Sequence, residues 1–539
     1  MNTAETIVLG LIEHGIDTLY CLPGVQNDPF FDALHAHTAK LRPVHTRHEQ
    51  GAAYMALGAA LASGKPQAFC VVPGPGLLNA GAALATAYAC NAPVLALAGQ
   101  IPSSAIGKGY GLLHEIPDQL AILRGLTKWA ERVTGSNAFS LVHEAFQRMA
   151  NGRPRPAGLE VPMDVWGHTG SDFSSERVSP AKTELDLEAI KTAAKILGSA
   201  ERPLIMIGGG ALGAGAEVRE IAEMLQAPVG AYRNGRGVLD SRHALSVSLT
   251  AAHRFWADAD AVLAVGTRLQ MPQQSWGLDG KLKIVRVDID PEELARVQPP
   301  AAGICGDAGT VLKGILQFLP AVNKKRPFRS GEIQKIKGET GKKLKDTLAP
   351  QAAYLEAIRA ELPEDGIFVD ELTQVGYASR LLLPVYAPRT FLSSGYQGTL
   401  GWGLPAALSA KVARPDAAVV SVSGDGGFLF NAQELATAVR HRIAVVAIVF
   451  TDDAYGNVRM YQRQFYGGRV IASDLVNPDF VKLAESFGVL GLRASSPDEL
   501  KTSLKKALSS NQPALIEVPS GEMPNPWPFI QMPRCRAPS

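Results

Sequence analysis

The sequence has few cysteines, no long apolar run and almost no net charge. Five cysteines in 539 residues are odd in number, widely spaced and never in a CxxC pair: Cys21, Cys70, Cys90, Cys305 and Cys535. This pattern argues against a disulfide framework and favours a reduced, cytoplasmic setting. No apolar run approaches the roughly 18 residues of a membrane helix, and the first residues lack the basic start of a secretory signal. A net charge of +2 gives no reason to expect binding to nucleic acid or to a membrane.

Short aliphatic runs alternate with helical patterns along the whole chain. Runs such as QAFCVVPG, RPLIMIGGG, AAVVSVSG and IAVVAIVF end in or near glycine, aspartate or proline. Central parallel strands buried on both faces have this appearance. The fold class is therefore α/β, and the length suggests about three domains.

Two polar segments, 167–185 and 321–350, divide the sequence. They predict three doubly wound parallel-sheet domains, at residues 1–170, 186–322 and 350–539. The first and third blocks share a rhythm, because each places a glycine-rich turn after a buried strand.

One stretch of the third block joins two acidic residues to a glycine-rich turn. In SGDGGFLFNAQELATAVRHRIAVVAIVFTDDAYGN, from Ser423 to Asn457, a strand, a turn, a helix and a second strand follow one another. Asp425 and Asp452 should then lie at the carboxyl ends of neighbouring parallel strands, where open α/β sheets bind ligands. Two carboxylates would repel a phosphate unless a cation lay between them. The pattern therefore favours a diphosphate bridged by Mg²⁺. The alternative is a turn residue and a solvated loop or helix cap.

The same stretch resembles the thiamine diphosphate motif of the pyruvate oxidase and acetolactate synthase superfamily, in which GDG is followed farther along by a polar pair and xxYG. The resemblance implies Mg²⁺ ligation by Asp425, Asp452 and the backbone oxygen of Ala454. The usual pair is Asn-Asn; here it is Thr451-Asp452, which keeps an oxygen ligand and adds a negative charge. The resemblance covers nearly the whole chain and is nearest to acetolactate-synthase-like proteins.

A glutamate in TRHEQGAAYMALGAA, residues 46–60, occupies the position of the family's catalytic carboxylate. The resemblance implies that Glu49 protonates or hydrogen-bonds the aminopyrimidine of the cofactor and so makes its amino group basic. The other interpretation is a surface ion-pair residue beside Arg47 and His48.

The resemblance also implies which residues surround the cofactor. Leu400, in LSSGYQGTLGWGLPAALSA at 392–410, would support the bend between the two rings, unless it is a plain core residue. The GPG turn of residues 71–99 would approach the cofactor or act as a simple strand-to-helix turn. The expected cofactor-binding set is Gly24, Pro73, Gly76, Asn79, Gln374, Tyr377, Gln397, Gly398, Leu400, Gly424, Asp425, Gly426, Gly427, Asp452, Tyr455, Gly456 and Asn457.

In this family the glutamate of the first domain and the diphosphate site of the third meet across a subunit boundary. The resemblance therefore implies an obligate homodimer, or a homotetramer made of two dimers, with active sites at the subunit interface.

The central block contains a competing motif. RPLIMIGGGALGAG has GxGxxG spacing after a strand, which by itself would predict a dinucleotide site and a nucleotide- or flavin-dependent oxidoreductase. The acid expected farther on is not clearly placed, and VGTRLQMPQQSWG departs from the flavin-binding relatives. FAD is therefore possible but less expected than a nucleotide fold kept for packing.

The substrate pocket differs from that of the biosynthetic synthases. Leu113-His114 replaces their Phe-Gln pair, so His114 either moves protons near the reacting carbon or bonds to Glu115 or Asp118 in a structural turn. Tyr396 and Trp402 add aromatic bulk near the cradle. The tail NPWPFIQMPRCRAPS is expected to be a solvated end. The alternative that the resemblance implies is a tail that closes over the active site, with arginines that meet a carboxylate or a CoA phosphate.

Together these features predict a thiamine-diphosphate- and Mg²⁺-dependent lyase or carboligase for 2-oxo acids. The alternative within the same chemistry is a lyase for 2-hydroxyacyl-CoA or oxalyl-CoA thioesters. A subunit that binds the cofactor without turning it over is disfavoured, because it would not need Glu49.

Overall fold

The computed structural model describes residues 1–169 and 184–537, which form three six-stranded sheets with every strand pair parallel. The α/β class and the three parallel-sheet domains are thus confirmed. The predicted break at 167–185 lies mostly outside the described residues. No helix in the described ranges is long and apolar enough to cross a membrane.

The first sheet has the strand order β2-β1-β3-β4-β6-β5. Its strands are β1 Thr18–Cys21, β2 Arg42–His45, β3 Gln67–Val71, β4 Val94–Gln100, β5 Trp129–Arg132 and β6 Ala157–Pro162. Its helices are α1 Thr3–Glu13, α2 Asp28–His35, α3 Glu49–Ser63, α4 Pro75–Cys90, α5 Gln119–Leu126 and α6 Ala138–Ala150. β3, β4 and β6 are buried along their whole length, as their aliphatic runs predict.

The second sheet has the order β12-β11-β10-β7-β8-β9. Its strands are β7 Pro203–Ile207, β8 Val229–Ala231, β9 Ser246–Val247, β10 Ala261–Val265, β11 Lys283–Asp288 and β12 Ala302–Cys305. Its helices are α7 Leu187–Ser199, α8 Gly215–Leu225, α9 Leu249–Asp258, α10 Pro291–Leu294 and α11 Ala308–Val322. The lysine-rich segment that follows is a helix, α12 Ser330–Thr347.

The third sheet has the order β14-β13-β15-β16-β18-β17. Its strands are β13 Ile367–Asp370, β14 Phe391–Leu392, β15 Val419–Gly424, β16 Val446–Thr451, β17 Leu490–Arg493 and β18 Ala514–Pro519. Its helices are α13 Ala349–Glu361, α14 Gln374–Leu382, α15 Gly403–Ala413, α16 Asp425–Phe428, α17 Leu435–His441, α18 Gly456–Phe465, α19 Phe480–Ser486, α20 Pro497–Ser510 and α21 Trp527–Ile530. Counted from its own first strand, this order repeats that of the first sheet, which confirms the shared rhythm of the two blocks.

The first and third domains pack together through α3 and α15. Both helices are apolar on nearly every side, which is typical of helices buried on all faces. Gly58 makes the close contact possible, because a Cβ there would lie 2.5 Å from the Cα of Ala406. One apolar core accordingly includes residues of both domains.

Two half-buried arginines join the central domain to the third domain. Arg233 donates a 2.7 Å hydrogen bond to the carbonyl of Gly395, and Arg236 donates to the carbonyls of Ser379 and Leu383. Burial lowers the pKa of both guanidinium groups to about 10. These contacts fix the central domain against the segments that precede the expected cofactor loop.

Candidate functional site

The predicted catalytic carboxylate lies at the beginning of α3. His48 caps this helix by accepting a hydrogen bond from the Gln50 N–H at 3.1 Å. Glu49 is the next residue; it is partly exposed, and its carboxylate accepts a 3.0 Å hydrogen bond from Asn79 Nδ2 on α4. Two residues predicted from separate motifs are therefore brought together.

A buried carboxylate of the third domain holds the segment that leads into Glu49. Both oxygens of Glu434 accept the Arg47 N–H at 3.2 Å, and the Thr437 hydroxyl donates to the same carboxylate at 2.5 Å. Burial raises the pKa of Glu434 to about 7. Gly51 is required here, because a Cβ would collide with the Glu434 carboxylate. Sequence reasoning missed Glu434, although it lies in the stretch that contains Asp425.

The GPG turn brings His114 into the same region. Gly74 has a φ of +58°, and a Cβ on it would collide with the carbonyl oxygen of His114. The Gly74 N–H donates to Gln119 Oε1 at 2.7 Å. Nearby, a Cβ on either Gly24 or Gly76 would collide with the Val72 side chain, so these predicted residues enclose the start of the turn.

His114 itself is strained and lacks the partners expected of a structural histidine. Its φ is +69°, and its Nδ1 is buried without a hydrogen-bond partner in the part of the chain described here. Glu115 accepts instead from the Gly109 and Leu112 N–H groups, and Asp118 caps α5 by accepting from the Ala121 N–H. These contacts leave the imidazole available to a ligand.

A buried polar network that sequence reasoning missed supports the GPG turn. Gln119 donates to the Gly99 carbonyl at 2.8 Å and to Glu160 at 3.1 Å. The fully buried Glu160 also accepts from Gln100 at 2.9 Å and from Arg132 at 2.5 Å. Such a satisfied network holds the backbone of the turn rigidly.

The two predicted metal ligands lie where their motif places them. β15 and β16 are neighbours, Asp425 follows β15, and Asp452 follows β16, so the prediction of two acids at adjacent carboxyl strand ends is confirmed. Asp425 Oδ2 accepts hydrogen bonds from the Asp452 N–H at 3.2 Å, the Asp453 N–H at 2.9 Å and Asn477 Nδ2 at 2.8 Å. This carboxylate organises the loop on which Asp452 lies.

The Asp452 carboxylate is half-buried and lies close to a second carboxylate, that of Asp425. Burial and then the neighbouring Asp425 raise the pKa of Asp452 to about 6. Arg459 lies 3.5 Å from the Asp452 carboxylate and offsets part of the added charge. Gly456 is needed beside it, because a Cβ would collide with this carboxylate.

The donor set fits a hard cation shared with a phosphate. Among residues 1–169 and 184–537, no three His, Cys, Asp or Glu side chains form a metal-binding group, so Mg²⁺ would need two carboxylates, a backbone carbonyl and ligand oxygens. Ala454 and Asp474 form an isolated β-bridge. Its hydrogen bonds are donated by the Tyr455 N–H to the Ser473 carbonyl and by the Leu475 N–H to the Asp453 carbonyl, so the bridge does not use the Ala454 carbonyl. Asn477 Oδ1 is also buried without a partner within the described ranges.

A second missed carboxylate, Glu371, fixes the loop that carries Leu400. Glu371 is fully buried and accepts from the Gly401 N–H at 2.5 Å, the Gly403 N–H at 3.1 Å and the Ser423 hydroxyl at 2.8 Å. Burial raises its pKa to about 7. An acid at the end of the strand GIFVDE was the available signal for this residue.

The glycines of the diphosphate turn are closely surrounded. Gly424 ends β15, and a Cβ on Gly426 would lie 2.7 Å from the ring of Tyr455. A Cβ on Gly427 would lie 3.4 Å from Leu400 Cδ2, so the turn and the Leu400 loop adjoin. The structure thus brings these five predicted residues together.

The other predicted residues of this half lie on two nearby segments. Gln374 begins α14, and its Oε1 is buried without a partner in the described structure. Gln397 and Gly398 are exposed, Gly398 has a φ of +57°, and Gln397 Nε2 lies 3.4 Å from the Ala85 carbonyl of the first domain.

Aromatic residues gather at the outer end of this site, although not all of the expected ones. Tyr377 on α14 lies 5.1 Å from Trp527, measured between ring centroids, and Tyr461 on α18 lies 6.3 Å from Trp527. Trp402 is instead completely buried and donates to the Asp370 carbonyl at 2.6 Å. Tyr396 makes a cation–π contact, with the Arg268 guanidinium 4.5 Å from the centroid of its ring.

The expectation of a solvated tail is wrong. Arg536 is buried in the central domain, where it pairs with Asp279 at 3.0 Å and donates to the carbonyls of Trp256 and Ala259. The segment from 523 to 536 therefore crosses from the third domain to the central domain.

The glycine-rich turn of the central domain packs against a second turn of the same sheet. A Cβ on Gly210 would lie 2.6 Å from the Cα of Gly266, so the turns after β7 and β10 are in direct backbone contact. Asp288, at the end of β11, pairs at 3.4 Å with the buried Arg153 of the first domain.

Within the chain, the predicted residues form two separate groups, one in the first domain and one in the third. In residues 1–169 and 184–537, Glu49 makes no hydrogen bond to the third domain. Large apolar side chains are exposed beside both groups: Val25, Leu78, Leu112 and Leu113 in the first domain, and Tyr396, Phe430, Val458, Phe465 and Ile471 in the third.

Comparison with known families gives three matches in chain order. Residues 1–122 match the N-terminal TPP binding domain of thiamine pyrophosphate enzymes, residues 190–315 match their central domain, and residues 373–518 match their C-terminal TPP binding domain.

Relatives that align with nearly the whole chain are identical to it at about one residue in three. The chain is 34% identical to a probable acetolactate synthase large subunit of Methanocaldococcus jannaschii, over 96% of this chain and 92% of the relative. It is 32% identical to a probable 2-ketoarginine decarboxylase of Pseudomonas aeruginosa, over 96% and 94%. It is 30% identical to the acetolactate synthase isozyme 3 large subunit of Escherichia coli, over 94% and 92%.

Proposed function

The chain belongs to the thiamine pyrophosphate enzyme family, and from that premise we propose that it binds thiamine diphosphate through Mg²⁺ and breaks or forms a carbon–carbon bond next to the carbonyl of a 2-oxo acid. It is an enzyme of the acetolactate-synthase-like type. The observation that carries the proposal of Mg²⁺ is the pair Asp425 and Asp452, held together at the ends of adjacent strands with the Ala454 carbonyl nearby.

Each group of residues has a distinct part in this proposal. Bound thiamine diphosphate supplies the electron sink for loss of the carboxyl group. Asp425, Asp452 and the Ala454 carbonyl hold the metal, and the glycines at 424, 426 and 427 admit the diphosphate. Leu400, on the loop fixed by Glu371, supports the bend of the cofactor. Glu49 holds a proton at the pyrimidine, and His114 moves protons at the reacting carbon.

The site requires two copies of the chain. Among residues 1–169 and 184–537, Glu49 is partly exposed and makes no hydrogen bond to the third-domain residues of the proposed diphosphate site. Large apolar side chains are exposed around both groups of predicted residues. We therefore propose a homodimer, or a homotetramer of two such dimers, in which Glu49 of one copy meets the third domain of the other.

For the central domain we propose a packing role without bound FAD. The support is that Gly208 and Gly210 contact the turn of Gly266 and that Asp288 is paired with Arg153. A flavin absorbance band in the purified protein would contradict this part.

The proposed reaction is tested by a product assay. Purified protein is incubated with and without thiamine diphosphate and Mg²⁺, with a panel of 2-oxo acids, and the products are identified by mass. We expect CO₂ and an aldehyde or 2-hydroxy ketone or acid only when both cofactors are present. Turnover of 2-hydroxyacyl-CoA thioesters, with no turnover of any 2-oxo acid, would replace the proposal by a CoA-thioester lyase.

A further inference from the structure

Trp527, on the segment that crosses between domains, is bonded to a residue of the candidate site. Its indole Nε1 donates a 2.6 Å hydrogen bond to Asn457 Oδ1. Asn457 is the second residue of α18 and follows the loop of Asp452 and Ala454. A residue distant in sequence is thereby placed beside the expected metal loop.

This hydrogen bond decides how the Asn457 amide is oriented. An indole N–H is only a donor, so the amide must turn its oxygen toward Trp527 and its NH₂ group away. Throughout the described structure, Asn457 Nδ2 donates no hydrogen bond, and the residue is only half-buried. Asn457 therefore offers two free N–H donors in a fixed orientation.

The Trp527 ring is held in place by its neighbours. The backbone N–H of Trp527 donates to Asn525 Oδ1 at 2.9 Å, and Gln351 Nε2 donates to the Pro524 carbonyl at 2.6 Å. Farther along, the buried Arg536 ties the same segment to the central domain. An orienting group that is already immobile adds little entropic cost to ligand binding.

The rings that contact Trp527 form a wall with apolar faces beside the Trp527–Asn457 hydrogen bond. Tyr377 and Tyr461 both lie against Trp527, from α14 and α18. Tyr377 follows Gln374 by one turn of α14, so the wall adjoins the expected cofactor position. Oriented amide donors beside such a wall match a ligand with an anionic head and an apolar body.

We propose that Asn457 binds the carboxylate of the 2-oxo acid through its amide N–H groups, that Trp527 is the positioning residue for this amide, and that the acyl side chain lies against Tyr377, Tyr461 and Trp527. This rests on the proposed function, and it assigns Asn457 to the substrate rather than to the cofactor.

The test uses full-length protein, thiamine diphosphate and Mg²⁺ with pyruvate, 2-oxoisovalerate and phenylpyruvate. Asn457→Asp keeps an acceptor for Trp527 but replaces the donors with a negative charge, and Trp527→Phe keeps an aromatic ring but removes the N–H. Gln464→Ala, an exposed change on the same helix, is the matched control. KM, kcat and the Kd of thiamine diphosphate are measured for each.

We expect Asn457→Asp to raise KM for every 2-oxo acid by about tenfold or more, since a charge-assisted hydrogen bond is lost. Trp527→Phe should raise KM by a smaller factor, and both variants should keep the wild-type Kd for thiamine diphosphate. An unchanged KM in Asn457→Asp, or weaker cofactor binding in its place, overturns the inference alone. If the wild type binds the cofactor but turns over no 2-oxo acid, the proposed function falls and the inference falls with it.

Discussion

Glu434 of the third domain accepts the backbone N–H of Arg47, two residues before Glu49, at 3.2 Å. The position of Glu49, the proposed catalytic glutamate, therefore depends on a domain that is distant in sequence. Glu434→Ala should lower the free energy of unfolding by about 1–3 kcal/mol, because buried donors lose their acceptor. It should also lower kcat. Denaturant unfolding and steady-state kinetics measure the two effects, and Glu485→Ala, an exposed glutamate on α19, is the control. Equal behaviour of the two variants would show that Glu434 does not position Glu49.

The same carboxylate predicts a dependence of stability on pH. Burial raises the pKa of Glu434 from 4.5 to about 7, so the folded state binds its proton more tightly than the unfolded state. The stability contributed by this group is present below pH about 4.5 and is lost as the pH rises toward about 7. Glu434→Gln cannot titrate, so its unfolding free energy should fall less over this window than that of the wild type. Parallel pH profiles would contradict the shift.

Loss of the Glu49 carboxyl should affect the reaction more than binding. Glu49→Gln should lower kcat by about 10²–10⁴, which is the usual contribution of a positioned acid or base. The Kd of thiamine diphosphate should change little, because the proposed diphosphate site consists of third-domain residues and does not include Glu49. Cofactor titration and turnover are compared with those of Glu485→Gln. Wild-type turnover in Glu49→Gln would remove this residue from the mechanism.

The unusual Asp452 gives a prediction about Mg²⁺. Asp452→Asn keeps an oxygen ligand and restores the residue usual in the family, so the variant should still require and bind Mg²⁺. Asp452→Ala and Asp425→Ala should weaken Mg²⁺ binding strongly, because each removes a hard ligand. Thermal stabilisation by Mg²⁺ with thiamine diphosphate gives a readout that is independent of turnover. Undiminished stabilisation in Asp425→Ala would place the metal elsewhere.

Two glycines should respond oppositely to replacement by alanine: one lies in the contact between α3 and α15, and the other is exposed on helix α12. Gly58→Ala would place a Cβ 2.5 Å from the Ala406 Cα and should destabilise the protein by about 1–3 kcal/mol. Gly338→Ala, on α12 with no atom within 4 Å of the new Cβ, should be neutral or stabilising by up to about 1 kcal/mol. Urea unfolding distinguishes them, and a neutral Gly58→Ala would mean that the two helices can separate.

The sequence predicts what depends on local pattern and leaves out what depends on the meeting of distant segments. The strand ends at Asp425 and Asp452 follow from aliphatic runs with glycine or acidic residues after them, and these are confirmed. Glu371 and Glu434 could not be assigned in the same way, because their partners are backbone N–H groups in segments 30 or more residues away.

The burial of the tail also could not be predicted, because it depends on contacts with distant segments. A short segment with proline, arginine and few periodic apolar residues predicts a solvated end, yet Arg536 is buried by carbonyls at the end of α9 and by Asp279. Likewise, the composition of residues 392–410 could not show that Trp402 enters the core, and the tail sequence could not show that Trp527 donates to Asn457.

The half-buried Arg233 and Arg236 have a consequence for protein engineering. Arg233 donates to one carbonyl of the third domain and Arg236 donates to two, so exchange of the central domain would remove hydrogen bonds that support the third domain. A chimera that replaces it with a flavin-binding counterpart would have to retain both guanidinium groups at their present positions. Without them, the backbone before the Leu400 loop would lose its outer support even if every residue of the cofactor site were kept.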